Sequence, residues 1–278
     1  MFQSIMKFSV GLVMMALMST AVSARSLSDL DAVHMAATQR TLVMRVAKAH
    51  IQVASGVDAV NARRTLHASV REYDSNLKEL EQNSPNSVLN RRMISLKQSW
   101  HAFRRVAQAD PSPLTVQTLL EESNNLLYQT DSLLRQWRLR LPQERGLFNE
   151  LALQQSMLSE RIGLFYTAHF YGIDQPWVLE ELNLSIREYE KGMPALRAAA
   201  RHAGDGKVVD LLQNQWNYAK LGLQKFNEGN YVPVVMSVAM ESMYAQSNQL
   251  GELFRNEDRI AMNQGRVDVG LAVNVVTE

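Results

Sequence analysis

The residues best suited to chemistry are two arginines at equivalent places in two similar stretches of the chain. Arg45 lies in the stretch Ala36–Lys48, and Arg161 lies in the stretch Ala152–Ile162. A guanidinium group is permanently charged, planar and forked, so it can hold a small oxyanion through two parallel hydrogen bonds. If both stretches are helices that pack together, the two arginines could face each other, and an anion between them would relieve their repulsion. The alternative is a surface position, with each stem packed on leucine and each head in water or paired with a glutamate.

Both stretches also resemble the signature of a known family. The first keeps Gln39, Arg40, Leu42, Arg45, Ala47 and Lys48, and the second keeps Gln155, Met157, Leu158, Ser159, Arg161 and Ile162. The pattern is similar to the Gln-Arg-Met-Leu-Ser-Gln-Arg-(Ile/Met)-Ala-Lys signature of the PilJ-type domain, the N-terminal sensor region of type IV pili methyl-accepting chemotaxis transducers. That signature is similar in turn to the P-box helix of NarX-type nitrate and nitrite sensor kinases.

This resemblance implies an all-α periplasmic four-helix sensor bundle whose first helix presents arginine to a small oxyanion such as nitrate or nitrite. The ligand-binding residues expected from it are Arg45, Arg161, Arg40, Gln39, Gln155 and Ser159. Two departures from the signature affect this site. Ser156 stands in place of the first arginine, and Glu160 directly precedes Arg161, so Glu160 could neutralise Arg161.

No other set of residues predicts a reaction or a metal site. The histidines lack the His-x3-His and His-Glu-x2-His spacings of zinc sites, and the chain has no cysteine to supply a thiolate ligand or nucleophile. The near balance of 29 basic and 28 acidic residues does not favour nucleic acid as a partner. We therefore expect neither an enzyme nor a resident metal or cofactor.

An internal repeat sets the organisation of the chain. At an offset of 116 residues, Arg71-Glu72-Tyr73 falls on Arg187-Glu188-Tyr189 without a gap. Two of the four tryptophans, Trp100 and Trp216, also coincide, as do Gly56 and Gly172. We infer a tandem duplication of residues 26–141 and 142–257, followed by a C-terminal tail at 258–278.

Helical periodicity and chain breakers divide each copy into four segments. They are predicted at 28–54, 57–82, 87–109 and 114–140 in the first copy, and at 143–171, 177–202, 207–228 and 232–262 in the second. Long helices with short connections are typical of up-and-down bundles. The sequence therefore predicts an all-α fold of two tandem four-helix up-down bundles, and it leaves open whether they pack side by side or end to end.

Some single residues carry further structural expectations. Pro194 predicts a kink or a broken helix near 191–193, whereas Pro233 suits the first turn of the last helix. We expect Trp100 and Trp216 to pack in the core, and the rings of Tyr73 and Tyr189 to lie in the bundle with their hydroxyls at its edge. Apolar residues alternate between 267 and 275, which indicates a loose tail or an edge packed on the bundle.

The N-terminal residues predict export. Lys7 precedes an apolar run at 8–18, and Val22 and Ala24 suit the small pocket of a signal peptidase. We expect a signal peptide at 1–24 and a periplasmic mature protein, with an uncleaved N-terminal anchor as the alternative. Cleavage after Ala24 removes Lys7 and no acid, so basic and acidic residues would then be equal in number.

Two functions are compatible with these features. The first is a non-enzymatic sensor-type protein that recognises a small anion, nitrate or nitrite, and acts through a membrane-bound sensor or transducer. The second is a structural or adaptor protein of the cell envelope that docks on a transducer or pilus-related complex without a small ligand. An open, unpaired arginine pair would favour the first.

Overall fold

The computed structural model describes residues 27–265, which form helices joined by short connections. The eight helices of this range are α1 (Asp29–Ser55), α2 (Ala59–Gln82), α3 (Ser87–Ala107), α4 (Pro113–Arg138), α5 (Leu147–Tyr171), α6 (Pro176–His202), α7 (Gly206–Asn227) and α8 (Pro233–Asn263). No strand occurs between residues 27 and 265, so the all-α prediction is confirmed. The expected signal peptide and the alternating apolar residues at 267–275 lie outside the described residues.

The helix ends follow local chemistry that the sequence already carries. Ser28 accepts a hydrogen bond from the Asp31 amide at the start of α1, and Ser112 forms a capping box with Thr115 at the start of α4. Gly56 and Gly172 end α1 and α5 in the left-handed region, with φ of 73° and 104°. Glycine adopts this conformation without a Cβ penalty, which explains why the two copies share it at this position.

Pro194 and Pro233 of the second copy differ in their position within their helices. Pro233 occupies the first turn of α8, as predicted. Of the kink or broken helix predicted near 191–193, the break is wrong, because α6 continues through Pro194 from Pro176 to His202. Residues on both sides of Pro194, including Met193 and Leu196, are buried. This packing offsets the missing hydrogen bond of the proline nitrogen.

The innermost helices are α1 and α5, the first helix of each copy. Contacts link α1 with α2, α2 with α3, α3 with α4, and α4 with α1, and the same ring of contacts joins α5, α6, α7 and α8. The extensive contact between α1 and α5 joins these two groups side by side. Both helices are consequently buried around most of their circumference, and even Lys48 and Glu160 have almost no exposed surface.

Contacts between α1 and α5 show that the two helices run parallel and almost in the register of the repeat. His34 contacts Asn149, and Arg45 contacts Glu160, in both cases across 115 positions of sequence. Because the residue numbers of both contact partners increase from one contact to the next, the two helices must run in the same direction. Equivalent residues of the two copies therefore lie at nearly the same height.

The aromatic core is repeated in the two copies. Tyr73 stacks on Trp100 with ring centroids 3.7 Å apart, and Tyr189 packs on Trp216 with centroids 4.6 Å apart. The packing role expected for both tryptophans is thereby confirmed. The expected edge position of the tyrosine hydroxyls is wrong, because Tyr73 and Tyr189 are both 0% exposed. Burial raises the pKa of both phenols above the ordinary range.

His50 connects the first helix to the α3–α4 junction and predicts a pH dependence. Its Nδ1 lies 3.0 Å from the Ala107 carbonyl oxygen, and its Nε2 lies 2.9 Å from Thr115 Oγ1. Burial lowers the pKa of this imidazole, and the bond to Ala107 offsets only part of the effect. The folded state therefore holds His50 neutral.

We predict that His50 contributes stability above about pH 6.5, the ordinary histidine pKa, and that this contribution is lost as the pH falls further. Below that value the unfolded chain binds the proton and the folded chain does not. Urea unfolding measures this effect. Between pH 7 and pH 5, the free energy of unfolding should fall less for His50→Gln than for the parent. An equal loss in both proteins would show that this imidazole does not titrate differently on folding.

Candidate functional site

Arg45 is enclosed by carboxylates from two other helices. Its Nη1 donates to Glu160 Oε1 on α5 at 2.9 Å, and Nη1 and Nη2 donate to the two oxygens of Glu241 on α8 at 2.8 and 2.6 Å. The guanidinium carbon lies 3.9 Å from the centroid of the Tyr244 ring. Arg45 thus forms a bidentate ion pair with Glu241 and a hydrogen bond to Glu160, and it lies beside the aromatic ring of Tyr244.

Lys48 completes this cluster one turn farther along α1. Its Nζ lies 2.6 Å from Glu160 Oε2, and the side chains of Lys48 and Glu160 are 2% and 0% exposed. Gly163 on α5 makes room for the lysine stem, because a Cβ there would lie 2.9 Å from Lys48 Cδ. We call Arg45, Lys48, Glu160 and Glu241 the buried charge network. Its two cations and two carboxylates balance.

The pKa shifts in the network follow from this pairing. Burial lowers the pKa of Arg45, but Glu160 and Glu241 raise it above its ordinary value. Burial raises the pKa of Glu241, and the bonds from Arg45 bring it below the ordinary value. Burial also raises the pKa of Tyr244 to about 12. At neutral pH the carboxylate of Glu241 is therefore ionised, and the phenol of Tyr244 is neutral.

Arg161 and Arg40 lie on the other flank of the α1–α5 pair. Arg161 pairs with Glu181 on α6 and donates to Asn124 on α4 at 3.3 Å. Arg40 donates to Asp131 on α4 at 3.0 Å. Burial lowers the pKa of Arg161, which Glu181 and Asp131 partly offset. Each of these guanidinium groups therefore also has a carboxylate of the chain as its counterion.

The expected facing pair of Arg45 and Arg161 is wrong. Arg45 is directed to α5 and α8, whereas Arg161 is directed to α4 and α6. Glu160 does not neutralise Arg161, which the sequence left possible, because Glu160 pairs with Arg45 and Lys48. Successive helix residues point about 100° apart, so Glu160 and Arg161 face different neighbours.

Two of the three uncharged site residues form hydrogen bonds to backbone carbonyls, and the third packs on a glycine. Gln39 Nε2 donates to the Tyr73 carbonyl at 3.1 Å, and Ser159 Oγ donates to the Ser156 carbonyl at 2.8 Å. Gln155 is fully buried, and its amide nitrogen packs so closely on Gly192 that a Cβ there would lie 1.9 Å away. The structure therefore distributes the six expected ligand residues over several faces of α1 and α5.

Sequence reasoning missed the acidic and aromatic members of the site. Glu241 and Tyr244 lie on α8, remote in sequence from Arg45, and no local motif marks them. Lys48 belongs to the recognised stretch, where its distance of three residues from Arg45 places both on one helix face. This spacing of two basic residues on one helix face could have indicated that acidic residues of other helices must lie beside them.

The described range also contains a groove that none of the residues of the buried charge network lines. The groove of about 290 Å³ lies between the start of α5 and the second half of α6, and Phe148, Leu151, Lys191 and Gly192 are among its lining residues. Residues 27–265 contain no group of three or more His, Asp or Glu side chains placed to hold a metal ion. Within the same range, no helix combines the length and apolar character needed to cross a membrane.

Comparisons with known proteins found no match to this chain. No protein-family model, no curated protein and no solved structure matches it.

We predict that Glu160→Gln destabilises the fold by about 3–5 kcal/mol, because it leaves Arg45 and Lys48 buried with one carboxylate between them. Urea unfolding at neutral pH measures this loss. The matched control is Glu81→Gln, which removes the exposed Glu81–Lys97 ion pair, with side chains 39% and 43% exposed. The control should cost less than about 1 kcal/mol. Equal costs for the two variants would contradict a structural role for the network.

Proposed function

We propose that this chain is a non-enzymatic adaptor of the cell envelope that docks on a helical partner, such as a membrane-bound transducer or a pilus-related complex. In this proposal the two groups of four helices are tandem up-down bundles, exported by the N-terminal signal and held side by side through α1 and α5. The parallel register of α1 and α5 supports a duplicated unit, because equivalent residues lie at nearly the same height.

The observation that carries the proposal is an exposed apolar stripe on α7. Leu211, Tyr218 and Leu221 are 54%, 50% and 56% exposed, and their spacing places them on one face of the helix. The equivalent residues of the first copy, on α3, are Ser95, Ala102 and Arg105. Since the copies share a core but differ here, the stripe is not a requirement of the bundle. Such a stripe suits packing against a helix of a partner bundle.

The oxyanion-sensing role implied by the resemblance has less support from the geometry. An anion at Arg45 would have to displace Glu241 or Glu160, and one at Arg161 would have to displace Glu181. Both guanidinium charges are balanced before any ligand arrives. A docking role needs no such displacement.

Site-specific photo-crosslinking in the producing cell tests the proposal. A photoreactive residue at Tyr218 should give a discrete adduct in the membrane fraction, whereas the same residue at exposed Ala102 on α3 should not. Adding Leu211→Glu to the Tyr218 probe should reduce the adduct several-fold, since a charge on the stripe opposes apolar packing. Circular dichroism should show that the Leu211→Glu variant keeps the helix content of the parent. No adduct, or equal adducts at both positions, would contradict docking through α7.

A further inference from the structure

Three buried hydroxyl groups occur on the three helices that also build the charge network. Thr41 on α1, Ser156 on α5 and Ser247 on α8 are 1%, 0% and 0% exposed. In the described part of the chain, none of the three hydroxyl oxygens has a hydrogen-bond partner. Leaving a buried hydroxyl unpaired is costly, so proteins rarely tolerate three of them without an ordered partner molecule.

Helix register brings the three residues to one level. The contacts of α1 with α5 join residues 115 positions apart, and this places Thr41 opposite Ser156. Helix α8 runs antiparallel to α5, since Asn149 donates to the Gly251 carbonyl while Gly163 lies against Met240. Ser156 is halfway between Asn149 and Gly163, and Ser247 lies between Met240 and Gly251. The three hydroxyls therefore occupy the same layer of the α1–α5–α8 junction.

The first copy shows what the equivalent positions hold when they are filled. Through the offset of 116, Ser156 corresponds to Arg40 and Ser247 to Asp131. Arg40 and Asp131 form an ion pair of 3.0 Å between α1 and α4. Because α5 packs on α8 as α1 packs on α4, Ser156 and Ser247 face each other in the same way. Two serines are much smaller than an arginine and an aspartate, so side chains fill less of this layer between α5 and α8 than between α1 and α4.

The surroundings select an uncharged occupant. The buried charge network lies about one turn away, and its two cations are already balanced by Glu160 and Glu241. A further ion would be uncompensated in a buried site, which is costly. Hydroxyl groups both donate and accept hydrogen bonds, as does water. A buried water commonly makes about three hydrogen bonds to otherwise unpaired groups.

We propose that Thr41, Ser156 and Ser247 form a buried binding site for a small uncharged hydrogen-bonding molecule, and that ordered water occupies it. The water bridges α1, α5 and α8 where the first copy uses the ion pair of Arg40 and Asp131. The two copies thus solve the same packing problem with different chemistry, one with charges and one with a bound neutral molecule. This site is independent of docking through α7.

A double-mutant cycle tests the space and the facing geometry. Ser156→Arg and Ser247→Asp each introduce an unpaired buried charge, and each should destabilise the full chain strongly in urea unfolding. The double variant rebuilds the ion pair of the first copy in the space that the water occupied. If the two single variants changed the free energy of unfolding independently, their effects would add. The unfolding equilibrium constant of the double variant should lie at least about tenfold below the value expected from that sum. Additive effects would overturn the proposal.

Water-to-amide magnetisation transfer in the parent chain supplies a readout that does not depend on folding of the charged variants. Cross-peaks from long-lived water should appear at the backbone amides of Thr41, Ser156 and Ser247. They should be lost in the double variant, whose side chains take the place of the water. An absence of these cross-peaks in the parent would overturn the proposal, because the hydroxyls would then be satisfied without a bound molecule.

Discussion

The rest of the structure depends on the carboxylate of Glu160, which is buried between Arg45 and Lys48. A charge without exposed surface is tolerated only when its partners are close and well placed, and here two cations from α1 lie within 2.9 Å of its oxygens. This requirement fixes the height of α5 against α1. The position of α8 is fixed as well, since Glu241 is the second carboxylate that the two cations require and it pairs with Arg45. Three helices from both copies are thereby held in one register.

Much of the fold could be predicted from the sequence because its signals are local. Gly56 and Gly172 end equivalent helices, and Tyr73 and Tyr189 meet equivalent tryptophans, so the repeat and the helix bounds follow from spacing. Pro194 was harder to interpret, because burial of its neighbours outweighs the local preference of proline. The continuity of α6 depends on tertiary packing, which the residues next to Pro194 in sequence do not reveal.

The site was less predictable for the same reason. Arg45 and Arg161 are conspicuous in the sequence, but the identity of their partners depends on which helix faces each guanidinium. The parallel register places Glu160 beside Arg45 of the other copy, and α8 brings Glu241 across 196 positions of sequence. A signature that resembles a family of anion sensors thus lies in surroundings that supply internal anions. The likeness of the two copies also ends at the exposed apolar residues of α7 and at the buried residues Ser156 and Ser247.

The central claim is that carboxylates of the chain already occupy the arginines of α1 and α5. Calorimetric titration of the purified protein with sodium nitrate and sodium nitrite, against sodium chloride at the same ionic strength, tests it most directly. We predict no saturable heat and no shift of the melting temperature beyond that of chloride at millimolar anion. Saturable nitrate or nitrite binding that Arg45→Ala or Arg161→Ala abolishes, with the variant still folded, would contradict it.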